Sequence, residues 1–167
     1  MKKTGLLQRL FRGAEKQPEP CLKTENHQVA GVDHYAKVVM AMAKPNPDYR
    51  KTQAAMQREG CIYSTIYAYK WPSCKAALVP EPENPHDPKA IKVLADGRLI
   101  GYIKKGSCAH IHKLIREGRI ERLTCEIGGG PGKMLVPDMD SDRERYLLQQ
   151  GDSILWAKVT IHLKPEK

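Results

Sequence analysis

The sequence predicts a mainly β fold of the α+β kind: a small barrel or curved sheet of five or six strands with about three flanking helices. Three observations carry this expectation. Short apolar runs with alternating or β-branched character recur along the chain. Helical periodicity is brief and does not alternate regularly with those runs, which argues against a parallel α/β sheet. A hydrophobic content of 41% in 167 residues is enough for one packed core.

Taken in order, residues 29–32 read as the first strand. Asp33 is placed to cap a helix over 34–43, which Pro45 and Pro47 stop. Asp48 is placed to start a second helix over 49–59, ended by Gly60. Residues 62–69 alternate as a strand, with Tyr63, Tyr67 and Tyr69 on one face. Packing under a helix is the plainer account of that stripe, and base stacking the alternative. An apolar run at 76–79 leads into Glu-Pro-Glu-Asn-Pro-His-Asp-Pro (81–88), whose three prolines exclude helix and central strand. Strands at 90–94 and 99–103 flank Asp96-Gly97, a strong hairpin signal. Ser107 is placed to cap a helix with Ile111, Leu114 and Ile115 on one face and Gly118 at its end. Residues 120–127 give another strand, a glycine loop follows, 134–136 pair back, and 154–163 close the sheet.

Residues 1–26 stand apart from this domain, which spans 27–164. Residues 1–12 read as a short basic amphipathic helix, and Pro18 and Pro20 keep the following linker extended. The helix is either a frayed terminus or a docking segment, for a protein partner through residues 1–20 or for a membrane surface.

Charge narrows the function. Twenty-eight Lys and Arg against 19 Asp and Glu leave a net charge of +9, which favours an anionic partner, nucleic acid first. No stretch approaches the roughly 18 apolar residues that cross a bilayer, and no secretory signal is expected at the N-terminus, so no membrane association is predicted. Five scattered cysteines without a Cys-x-x-Cys pair point to reduced thiols and a cytoplasmic protein.

Several catalytic or metal patterns are imitated and fail. Gly128-Gly129-Gly130-Pro131-Gly132-Lys133-Met134 is one residue short of a phosphate loop and lacks its Ser or Thr. Asp138, Asp140 and Asp142 begin like a calcium loop, but Arg143 stands where the turn glycine belongs. His110 and His112 are two apart on a helix and face different ways. His34, His86 and Asp87 have metal-ligand chemistry without a spacing signature. No catalysis, cofactor or metal is therefore expected.

The informative segment is 78–112. A proline-stiffened elbow carries Asn84, His86 and Asp87, and the next hairpin ends in Tyr102 and the pair Lys104-Lys105. If the elbow folds beside that strand end, aromatic, amide, carboxylate and ammonium groups share one rim that can stack a base, contact phosphate and accept a hydrogen bond from a sugar hydroxyl. The competing account makes Asp87 a turn carboxylate serving its own loop, and the lysines a solvated strand end.

Two stretches, VAGVDHYAKVV (29–39) and VPEPENPHDPKAIKVLADGRLIGYIKKG (79–106), together with the helix after them, resemble the HIRAN domain family. That family occurs in fork-remodelling Swi/Snf-type translocases and as stand-alone bacterial proteins. The resemblance implies an OB-like barrel binding single-stranded DNA, preferentially at a free 3′ end. By the same resemblance Asp87 accepts the terminal 3′-hydroxyl and Asn84 supports the terminal nucleotide. His86 takes the place of a stacking aromatic, His34 and Tyr35 cradle the end, and Tyr102 and Lys105 meet sugar and phosphate. Asp33 stands where the family has arginine, and His34 and His86 replace tyrosines. The alternative function is a protein–protein interaction module in a DNA repair or phage-defence complex.

Overall fold

The computed structural model describes residues 23–165. The predicted basic helix, its docking role and most of the linker lie outside the described residues.

The first strand, β1 (Thr24–Ala30), begins before the expected residue 29. Gly31, in the left-handed region at φ 75°, then turns the chain into a 3-10 turn, Val32–Tyr35, and the helix proper, α1, is only Ala36–Ala41. Asp33 lies inside that turn, where it cannot serve as the cap the sequence suggested. The second predicted helix is likewise split. Asn46 Oδ1 accepts from Asp48 N at the start of a 3-10 turn (Pro47–Arg50), and Thr52 Oγ1 accepts from Ala55 N to cap α2 (Gln53–Arg58).

A two-residue strand β2 (Lys44–Pro45) precedes α2, and β3 (Ile66–Tyr67) and β4 (Tyr69–Lys70) follow it. These two short strands stand where one strand over 62–69 was expected. Tyr63 is left-handed at φ 56° and 68% exposed, so the three-tyrosine face does not form.

The remaining elements are β5 (Cys74–Pro80), β6 (Ile91–Ala95), β7 (Arg98–Ile103), α3 (Lys105–Arg116), β8 (Ile120–Pro137) and β9 (Tyr146–Leu163). Six strands close an antiparallel barrel in the order β8-β5-β6-β7-β1-β9, with β9 returning to β8 and β3 lying outside on β8. Closure matters because it leaves no unpaired ladder around the ring. The hairpin signal is realised: Asp96 and Gly97 take φ 48° and 75°, as a tight turn between β6 and β7 requires.

Alternation builds the core. Ile91, Val93 and Ala95 of β6 point inward, as do Ala157, Val159, Ile161 and Leu163 of β9. Cys108, Ile111 and Leu114 bring one face of α3 onto them.

The largest departure from the sequence reading is the β8–β9 hairpin. Each strand is 18 residues long. Residues 120–128 of β8 belong to the barrel, and 130–137 run on with 146–153 as an arm beyond it. The expected glycine loop is a bulge inside β8. Its backbone lies against the partner strand: a Cβ on Gly128 would meet the Trp156 ring at 2.5 Å, and one on Gly129 the Ile154 carbonyl oxygen at 2.4 Å. No helix among the described residues is long and apolar enough to cross a membrane.

Candidate functional site

The elbow between β5 and β6 is a succession of turns. The ladder ends at Pro80 opposite Ile91, and Glu81 N donates to Ala90 O at 2.9 Å to close the loop. Asn84 N donates to Glu81 O at 3.1 Å, and Ala90 N donates to Asp87 O at 2.9 Å. Between these two turns Asn84 Oδ1 accepts from His86 N at 2.9 Å and from Asp87 N at 3.1 Å. Pro82, Pro85 and Pro88 each sit second in one of the three turns, where a fixed φ is wanted and no N–H is needed. The elbow is stiff because its sequence writes the turns one after another.

Asp87 serves that scaffold with one oxygen. Oδ1 accepts from Lys89 N at 2.8 Å, the turn role the sequence allowed. Among the described residues no hydrogen bond reaches Oδ2. The two accounts of Asp87 are therefore compatible: one oxygen holds the loop and the other stands open.

Glu81 ties the elbow to the barrel. Its Oε2 accepts from Asn84 Nδ2 at 2.7 Å and from the Tyr102 hydroxyl at 3.1 Å, and Oε1 pairs with Lys92 Nζ at 2.5 Å. These contacts, the Lys92 bond foremost, hold its carboxyl below the ordinary value. Tyr102 lies on β7 between Lys92 of β6 and Ala30 of β1, with the Tyr35 ring 6.5 Å from its own and tilted 47°. Burial, then Tyr35 and Glu81, push the Tyr102 hydroxyl up to about 12, so it is a neutral donor at physiological pH.

The lysine pair is placed differently from expectation. β7 ends at Ile103, Lys104 occupies the cap position and Lys105 opens α3, so Ser107 is inside the helix and not its cap. Lys105 thus adds its charge to the positive end of a three-turn helix. An anion beside it meets both.

Six of the eight predicted residues converge: Tyr35, Asn84, His86, Asp87, Tyr102 and Lys105 line one cleft of about 370 Å³. That volume falls within the range of small-ligand sites, about 300–1,000 Å³. Ala90, Ile103 and Cys108, all buried, complete its lining. The Cys108 thiol is pushed up by burial and by the Asp87 carboxylate, which leaves it a neutral part of the wall. His34 and Lys104 are exposed and outside the cleft.

The segment from the end of α2 through the elbow, the β6–β7 hairpin and α3 to the β8 bulge is the part that makes most of this cleft. Residues 58–131 match the HIRAN domain family. This stretch of the chain is HIRAN sequence. HIRAN domains are generally nucleic-acid-binding modules, and the match covers every cleft residue except Tyr35. No curated protein and no solved structure matches the chain.

Two residues that do not line the cleft but hold those that do escaped the sequence reading. Glu81 was visible as the acidic first position of the Glu-x-x-Asn-Pro motif, but its role depends on Tyr102, 21 residues away. Lys92 reads as an ordinary strand lysine until the register sets it opposite Tyr102.

Proposed function

We propose that this cleft holds the terminal nucleotide of a single DNA strand and recognises a free 3′ end, by binding alone and without catalysis. The observation that supports it is the convergence of the elbow, the β7 end and the first turn of α3 on one nucleotide-sized recess. Asp87 Oδ2 accepts a hydrogen bond from the terminal 3′-hydroxyl while Oδ1 keeps the elbow in shape. Asn84 holds the elbow's backbone, His86 and Tyr35 offer ring faces to base or sugar, and Lys105 at the helix start meets a phosphate. The turns are already made, so binding orders little loop.

The test is fluorescence anisotropy with a short single strand ending in hydroxyl or in phosphate. A terminal phosphate sets a dianion against Asp87 and is expected to weaken binding. The hydroxyl preference is expected to disappear in Asp87→Ala. Equal binding of both ends by the unaltered protein would overturn the reading.

A further inference from the structure

A second groove adjoins the cleft. Pro88, Lys89, Ala109, His112, Ile115 and Arg116 line a recess of about 390 Å³. It is built from two of the elements that form the cleft, the elbow and α3, and from the next residues along each: Asp87 lines the cleft and Pro88 the groove, Cys108 the cleft and Ala109 the groove. The groove therefore leads away from the cleft along α3 toward its C-terminal end. From Ala109 to Arg116 the helix rises about 10 Å at about 1.5 Å per residue.

Its charge is one-sided. Lys89 and Arg116 are exposed, neither has an ion pair among the described residues, and no Asp or Glu lines the recess. The nearest helix acid, Glu117, is matched with Lys113 at 3.9 Å. The groove is also fixed in shape. His112 Nε2 lies 3.0 Å from Lys89 O, and a carbonyl can only accept, so Nε2 carries the proton and ties the elbow to α3. Pro88, Ala109 and Ile115 add apolar surface beside these cations.

We propose that this groove binds the sugar–phosphate backbone of the same strand, 5′ to the terminal nucleotide, with Lys89 and Arg116 as its phosphate contacts. The proposal rests on the reading of the cleft as an end-binding site. It adds that affinity grows with strand length and that the strand leaves along α3.

The experiment compares the unaltered chain with Lys89→Ala/Arg116→Ala, using single strands of increasing length that end in a 3′-hydroxyl. Lys75→Ala/Arg98→Ala is the control, because it removes the same charge at the far end of the barrel strands from the elbow, Lys75 near the start of β5 and Arg98 at the start of β7 beside Ala95. The groove variant is expected to lose the gain in affinity with length and to flatten the salt slope by about 1.4, at about 0.7 per phosphate. Its preference for hydroxyl over phosphate ends is expected to persist, and the control to keep its length dependence. Unchanged length dependence in the groove variant, with end preference intact, would overturn the groove and leave the cleft standing. Equal losses in both variants would also overturn it, since they would report bulk charge. Loss of end preference in the unaltered chain would instead remove the cleft on which the groove depends.

Discussion

The Tyr102 hydroxyl donates to Glu81 Oε2 across 3.1 Å, joining a barrel strand to the elbow through a carboxylate that also holds Asn84 and Lys92. Glu81 is therefore a positioning residue for the whole rim. Glu81→Ala leaves Lys92 without its anion and frees both Tyr102 and Asn84. With Asn84 and Tyr102 no longer held in place the rim loses its preorganised geometry, so oligonucleotide affinity is expected to fall by roughly one decade. Glu81→Gln, which keeps an oxygen for Tyr102 but loses the ion pair, is expected to fall between. Anisotropy titrations on both variants check this, and wild-type affinity in Glu81→Ala would remove the role.

The β8 bulge carries a second prediction. Gly129 has φ 106°, and an added Cβ would lie 2.4 Å from Ile154 O and 2.9 Å from Leu155 Cα. Both neighbours are backbone and cannot step aside. Gly129→Ala is expected to destabilise by about 1–3 kcal/mol, the scale of a residue forced into a sparsely populated conformation. Thermal melts would show it as a lowered midpoint.

High pH is expected to weaken the fold. The Cys125 thiol is pushed from 9.0 up to about 12 by burial first and by its cross-strand neighbour Cys74 second, and the Tyr102 hydroxyl from 10.0 up to about 12. Between those values the unfolded chain releases protons that the folded chain retains. Stability from these groups is full below 9 and declines as the pH rises toward 12. Urea midpoints should fall through that window and less so in Cys125→Ala; a flat profile would contradict the burial assigned to Cys125.

What the sequence disclosed tracks how local each feature is. The elbow, the Asp96-Gly97 hairpin and the helix after it are written within 36 consecutive residues, 81–116, by proline, Asx and glycine turn chemistry, and that stretch holds five of the six predicted residues that line the cleft, Tyr35 being the sixth. The β8–β9 arm was not legible, because the glycine run takes its meaning from Trp156 and Ile154, some 25 residues farther on. Lys104 and Lys105 were misplaced by a smaller margin: the helix starts two residues before Ser107, which turns a strand end into a helix end. Tyr63 looked like part of a stripe because alternation cannot reveal that the chain turns between two short strands.

The central claim is that a strand end enters the recess between the elbow and α3, and amide NMR shifts read it most directly. Adding a short single strand with a free 3′-hydroxyl to labelled protein should move Asn84, His86, Asp87, Tyr102 and Lys105 together, saturating at one affinity. Shifts confined to the β8–β9 arm, with those five residues still, would contradict the account.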